Sequence, residues 1–411
     1  MCIRDSHHGE ESLQGGIIGM AQEYVGSNNI SLLTPIGQFG TRLLGGKDHA
    51  SARYIYTMLN DITFKIFPTL DFPVLSYKED DGHIVEPEYY TPIIPFALIN
   101  PCVGIGTGFS HTGLSFNPLE LSSYIKRRLK DRSCMIGDIL PYYEGFEGTI
   151  SKLSKGKYIA EGIFEIIDKT TIKINELPIG NWTSPYKDHL LYLMSDKNKK
   201  NEKKKPSIKS FEGNCTTEHI EFIVKFNDSI PKNFKTLLKL TSTLSLNNMN
   251  MFSVKNNLKK FGTVQDVIDE YFPIRYKMYQ KRKDYMLRNY EKDIILLSNK
   301  ARFIKEQCDD TIDLRKRTKE NVIKLLKDRE YDIIEDNGVV DLEYGYLRGM
   351  TIAQVEIENM DKLNNKLNIV KESKKVLENT SIEQMWNKEI EDFEDSYHKY
   401  IKLRYKRISG K

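Results

Sequence analysis

The sequence predicts a multidomain α+β protein that ends in a long antiparallel helical stalk, and three observations carry that prediction. The chain has 411 residues, enough for two or three domains with a sizeable core. From about residue 120 to 255, short β-like runs alternate with turns and a few helical segments. Between Ile274 and Asn337 there is neither proline nor glycine, and apolar residues recur at helical spacing. Charged residues make up 29% and the mean hydropathy is −0.49, as in a surface-rich globular protein. The most apolar stretch, 92–105, is short and broken by Pro95 and Pro101, so nothing spans a membrane. Five scattered cysteines with no CxxC pair suggest neither a disulfide framework nor a zinc site, and they fit a reducing compartment.

Taken in order, residues 1–6 continue no later pattern. His7-His8-Gly9-Glu10 lacks a third ligand at a spacing that suits a metal. A histidine donating to DNA or to a reacting phosphate, or a plain capping cluster, are the readings that remain. From Ser12 to Tyr24, Leu13, Ile17, Met20 and Ala21 fall at helical spacing. Ser12 stands near the start of that helix, where a hydroxyl caps the helix or meets a phosphate.

The stretch Pro35–Tyr56 concentrates chemistry: Gln38, Arg42, Lys47, Arg53 and Tyr54 among several glycines. A tyrosine hydroxyl is a poor nucleophile unless cations favour the phenolate and neutralise charge on the attacked phosphate. Arg53 is placed for the second task, and Arg42 and Lys47 could hold neighbouring phosphates. A solvated basic surface gives the same composition, so the short motif alone does not decide.

An amphipathic segment follows to Phe67, then an acidic turn at 79–82. Gly104-Ile105-Gly106-Thr107-Gly108 has no Gly-Lys-Ser/Thr and is no phosphate loop. It is either a tight turn with Ile105 tucked inward or an apolar wedge of the kind that kinks DNA. β-like runs are expected at Tyr158–Ile159, Phe164–Ile167, Thr171–Ile174 and Glu221–Phe226. Trp182 lies in a polar turn, where it packs against sugar and backbone of a ligand or joins the core. Seven lysines fall between Ser195 and Lys209, in a solvated linker or a phosphate-tracking loop. Lys239, Thr241, Ser242, Thr243, Ser245, Asn247 and Asn248 offer short polar groups that suit phosphates, as would any polar β-edge.

The last third carries three seams. Leu287, Tyr290, Ile294, Leu297, Ala301 and Ile304 form the first, and Met360, Leu363, Leu367, Val370 and Leu377 the second. Ser381 and Gln384 make a capping box for a third, Trp386, Ile390, Phe393, Tyr397 and Tyr400. With 335–349 as a turning region, one helix goes out to a small tip and another returns, and the tip suits dimerisation.

With these pieces in order the chain resembles the DNA breakage–reunion half of the type IIA DNA topoisomerases, nearer the eukaryotic and large-virus type than bacterial gyrase A. The resemblance rests on His7–Glu10, Ser27–Leu59, Val85–Pro95, Gly104–Gly108, Ile174–Thr183 and, more weakly, the final helices, across residues 7–405. It implies that Tyr54 is the nucleophile forming a 5′-phosphotyrosyl link, with Arg53 stabilising the transition state and His8 in the catalytic set. It implies partial intercalation by Ile105, and DNA contact through Ser12, Gln38, Arg42, Lys47, Trp182, Lys239, Thr241, Ser242, Thr243, Asn247 and Asn248. The implied domains are a winged helix over 1–94 that starts late, a tower over 95–255, and a coiled coil with a dimerisation gate over 256–411.

The implied partners are double-stranded DNA and a second copy of the chain. Mg²⁺ and ATP are implied for the holoenzyme, but neither the Toprim acidic cluster nor the ATPase domain is recognisable here. Those regions are therefore expected in cis or on a partner chain, and this chain alone is expected to bind DNA and barely cleave it. The expected location is intracellular: nuclear for a cellular eukaryote, host cytoplasm or nucleus for a virus. The alternative is a non-catalytic, DNA-bending dimeric scaffold of the same fold.

Overall fold

The first long-range organisation comes from strands whose alternate residues are apolar. In the computed structural model, which describes residues 9–196, 206–314, 317–336, 339–351 and 357–408, Thr171–Ile174 pairs antiparallel with Phe222–Lys225. Ser210–Gly213 and Phe164–Ile166 complete a four-stranded sheet. Ile172 and Ile174 point to one face, as do Phe222 and Val224, and all four are buried. Helix Thr183–Met194 covers that face with Tyr186, Leu190 and Leu193, spaced as one helical stripe. Beside it a three-stranded sheet runs Thr241–Ser245, Lys157–Glu161, Thr149–Ser154, so the serine- and threonine-rich strand is an edge.

Three two-stranded hairpins belong to the same body. Tyr77–Asp80 and His83–Pro87 turn at Asp81-Gly82, where both residues take positive φ (47° and 77°) as a two-residue hairpin turn requires. Cys102–Gly106 pairs with Phe109–Gly113, and Asn250–Phe252 with Leu258–Lys260. The first helix, Gly9–Ala21, starts three residues before Ser12. It buries Ile18 and Ala21 against Phe39 and Ile55.

The described residues divide into two compact units, one comprising the chain up to Arg275 plus Trp386 onward, the other Tyr276–Met385. The division cuts through the span expected for the coiled coil. The long helix Val264–Cys308 begins ten residues before the proline-free stretch and runs through Pro273. Proline inside a helix costs about 3 kcal/mol. Packing on both sides offsets it: Phe272 stacks 4.9 Å from Trp386, and Arg275 donates to Asp71 at 2.5 Å and to the Thr91 carbonyl at 2.7 Å.

Within the second unit the long helix and Ile357–Asn379 run antiparallel. Lys374 pairs with Glu291 at 3.0 Å, while Lys283 donates to the carbonyls of Glu378 (3.1 Å) and Thr380 (2.7 Å). Both predicted seams are buried or half-buried along that pair. A small core of Phe303, Ile312, Val322, Leu326, Tyr331, Tyr344 and Leu347 closes the tip.

The last helix, Ile382–Ile408, opens with the capping box: the Gln384 amide donates to Ser381 Oγ at 3.1 Å, and the Ser381 amide to Gln384 Oε1 at 2.8 Å. Its entire predicted seam is buried in the first unit. Trp386 Nε1 donates to the Ile93 carbonyl at 2.8 Å, and Arg404 donates to the carbonyls of Glu23, Asn28 and Asn29. Among the described residues no helix is long and apolar enough to cross a membrane.

Candidate nucleic-acid interface

The glycine-rich loop after strand Leu33–Ile36 is held by polar groups reaching across it. Gln22 donates to the carbonyls of Phe39 (2.9 Å) and Gly46 (3.1 Å). Thr41 donates its amide (2.9 Å) and its hydroxyl (2.5 Å) to Asp48. The Gly46 amide closes on the Thr41 carbonyl, and the Ala50 amide on that of Gln38, both at 2.9 Å. Gly45 has φ +64°, and a Cβ there would lie 2.4 Å from the Trp182 ring, so only glycine fits.

The loop runs into a single 3₁₀ turn, Ala52–Tyr54, and then strand Tyr56–Leu59, which pairs back onto Leu33–Ile36. Ile55 is buried in the core beside Phe39, so the backbone next to Tyr54 is fixed while its side chain is 66% exposed. The exposed Arg53 guanidinium lies 4.8 Å from the Tyr54 ring centroid. A cation against an exposed ring contributes about 0.5–1 kcal/mol, enough to bias its place. The pair can offer one phosphate a phenol oxygen and a planar, charge-neutralising donor together.

Arg42 corrects the expectation of a DNA contact. It is 4% exposed and forms a buried two-bond ion pair with Glu176, at 2.5 and 3.3 Å. Burial, more than pairing, closes this guanidinium to a phosphate, since its Nε is buried without a hydrogen-bond partner among the described residues. Trp182 also takes part in this packing. Half-buried, it meets Tyr24 edge-on at 5.6 Å and fills the space left by Gly26 and Gly45. Burial, with the nearby charge of Asp48 second, pushes the Tyr24 phenol up to about 12. Between these contacts, the Thr183 and Ser184 amides donate to the carbonyls of Arg42 (3.3 Å) and Leu43 (3.0 Å), filling the first turn of helix Thr183–Met194. Sequence reasoning missed Glu176 and Gln22, because nothing local marks a partner that lies across the fold.

The remaining candidates are spread over the first unit. Ser12, Gln38 and Lys47 are exposed, and Gln38 Oε1 accepts from the Gly40 amide at 3.4 Å. His8 lies outside the described residues, as does 197–205 of the lysine run. Lys239 is exposed with φ 49°, and its carbonyl accepts from Asn181 at 2.9 Å. Thr241 and Ser242 are half-buried on the edge strand, and the Ser242 hydroxyl is spent on the Ile179 carbonyl at 2.9 Å. Thr243, Asn247 and Asn248 are exposed. Among the described residues there is no group of three or more His, Cys, Asp or Glu that could hold a metal ion.

Between the two readings of the Ile105 turn, the structure selects the outward one. Gly108 takes φ +79° in the two-residue link at Thr107-Gly108, and Ile105 stands 90% exposed opposite Ser110. Val103, two residues away on the same face, is 74% exposed, a neighbour that strict alternation would have flagged.

Known proteins resemble this chain in sequence and in fold. The family model described as the A-type subunit of DNA gyrase/topoisomerase IV matches residues 2–391. The chain is 35% identical over 452 residues to DNA topoisomerase 2 of Acanthamoeba polyphaga mimivirus, covering 95% of this chain and 36% of that protein. It is 40% identical over 331 residues to human DNA topoisomerase 2-alpha, covering 79% and 21%. The crystal structure of the Plasmodium falciparum topoisomerase II DNA-binding, cleavage and re-ligation domain superposes with a TM-score of 0.87 at 34% identity, covering 98% of this chain and 57% of that one. The chain thus spans between 21% and 36% of the length of these two curated relatives. It belongs to the family of DNA gyrase/topoisomerase IV A-type subunits, the core of the type IIA topoisomerases.

Proposed function

We propose that this chain is the DNA cleavage and religation core of a type II DNA topoisomerase. The observation that carries the reading is the exposed Tyr54–Arg53 pair on a rigid glycine-built loop. In the proposed step the Tyr54 phenol oxygen attacks a backbone phosphorus and the 3′ oxygen of the neighbouring deoxyribose leaves. The phenolic proton is given up and the leaving oxygen takes one. Arg53 neutralises the charge that builds on the non-bridging oxygens. The tyrosyl phosphodiester replaces one diester by another, so the reverse attack reseals the strand without a new energy source. Ile105 is the wedge that opens a base step and bends the duplex, and each protomer of a homodimer cuts one strand while a second duplex passes.

Lys47, Gln38, Ser12 and the exposed part of 239–248 track the flanking phosphates, and His8 joins the catalytic set. Residues 1–94 act as the winged helix, 95–255 as the tower, and 256–411 as the coiled coil and exit gate, in a nuclear or viral setting. Mg²⁺ and ATP are assigned to Toprim and ATPase regions supplied in cis or by a partner chain.

The test is a denaturing-gel trap with labelled duplex, Mg²⁺ and a Toprim-bearing region from a relative added. A covalent adduct is expected, and Tyr54→Phe abolishes it. Duplex bending with no adduct in any condition would leave the non-catalytic scaffold instead.

A further inference from the structure

We infer that Asn250 is a positioning residue for the Ile105 wedge, bracing from outside the hairpin that carries it. The inference rests on the wedge reading above. A lone two-stranded hairpin is marginal in water at best, yet this one must force an aliphatic side chain between stacked bases. It also lacks much of its own support. Gly104 stands opposite His111, Gly106 opposite Phe109, and Gly113 opposite Cys102, so three of its five cross-strand pairs contain a glycine.

The support comes from the neighbouring segment. Asn250 Nδ2 donates to the Ser110 carbonyl at 2.7 Å, and the Thr112 amide donates to the Asn248 carbonyl at 2.9 Å. Ser110 is the register partner of Ile105, so the Asn250 bond lands directly across the ladder from the wedge. Asn250 is anchored in turn. It opens strand Asn250–Phe252, opposite Lys260, and follows Met249, which is 1% exposed and accepts the amide of buried Phe261 at 2.9 Å. A force on Ile105 therefore passes through Ser110 and Asn250 into the core. Asn248, expected to touch DNA, contributes its backbone carbonyl to the same brace.

The experiment compares Asn250→Ala, Asn250→Asp and Ile105→Ala in the full chain. End-labelled duplex reads bending, 2-aminopurine at the central step reads unstacking, and amide hydrogen exchange reads the hairpin. Both Asn250 variants are expected to raise exchange across 109–113 and to lower the bent, unstacked population about fivefold, the factor for one part-buried hydrogen bond. Affinity for a nicked duplex, which bends without a wedge, stays unchanged, and the thermal midpoint falls by no more than about 2–4 °C. A purely structural residue would lower that affinity as well. Were Asn250→Ala to unfold, the comparison passes to Asn250→Asp, which keeps the size and replaces the donor with a carboxylate. Unchanged exchange, or normal bending in the Asn250 variants while Ile105→Ala abolishes it, overturns the bracing role alone. Normal bending in Ile105→Ala overturns the wedge reading and the bracing role with it.

Discussion

A Cβ placed on Gly40, Gly45 or Gly46 would lie 2.5, 2.4 or 2.4 Å from neighbouring atoms. One placed on Gly106 would meet only the Phe109 carbonyl at 3.8 Å, and one on Gly108 nothing. The two glycine-rich regions thus use the same residue to opposite ends. In the 40–46 loop glycine lets backbone, Gln22 and Trp182 close in until the loop is rigid, and a reactive tyrosine leaves it at a fixed point. Around Ile105, at Gly104, Gly106 and Gly108, glycine thins the structure so that an aliphatic side chain stands clear. A glycine count in the sequence cannot tell these apart; what surrounds each Cα does.

The contrast can be broken most sharply by adding one methyl group to each region. Gly45→Ala meets both a left-handed backbone, about 1–2 kcal/mol, and overpacking against Trp182, about 1–3 kcal/mol. A loss of about 2–5 kcal/mol in urea unfolding is expected, with weaker adduct formation by Tyr54. Alkali should act next, and on the loop rather than the hairpin, which contains no tyrosine. Tyr24 has its phenol raised from 10.0 to about 12 by burial, so the folded state favours the protonated form. That contribution is whole below the unfolded value and is lost as pH climbs from 10 through 12. Tyr143 and Tyr405, also raised to about 12 by burial, add in the same direction. Tryptophan-monitored melts across this window should show the midpoint falling, and a flat midpoint would count against the Tyr24–Trp182 packing. The smallest effect belongs to Gly106→Ala, within about 0.5 kcal/mol by the same unfolding measurement.

What the sequence could show follows from the range of the interaction that shapes each feature. The capping box at Ser381 and the three apolar seams are local, and each is where periodicity put it. The strand positions at 164–166, 171–174 and 222–225 were legible for the same reason. Arg42 was not, since its partner Glu176 is 134 residues away and a buried arginine looks like an exposed one in a string of letters. The start of the long helix was hidden by Pro273, whose cost is overcome by contacts with Asp71 and Trp386 that no local window contains. For the Ile105 turn, the letters allowed two orientations, and only the folded hairpin, with Ile105 exposed, shows which one is taken.

The return of helix Ile382–Ile408 to the first unit has a consequence for biosynthesis. Residues 276–385 leave the ribosome between the two parts of that unit, which takes about 5–20 s at typical elongation rates. They can condense meanwhile around their own core of Phe303, Leu326 and Tyr331. The larger body cannot finish until Trp386 and Arg404 have been translated, because the carbonyls of Ile93, Glu23, Asn28 and Asn29 await their donors. During that interval the nascent polypeptide carries an open seam, and there a chaperone would engage it.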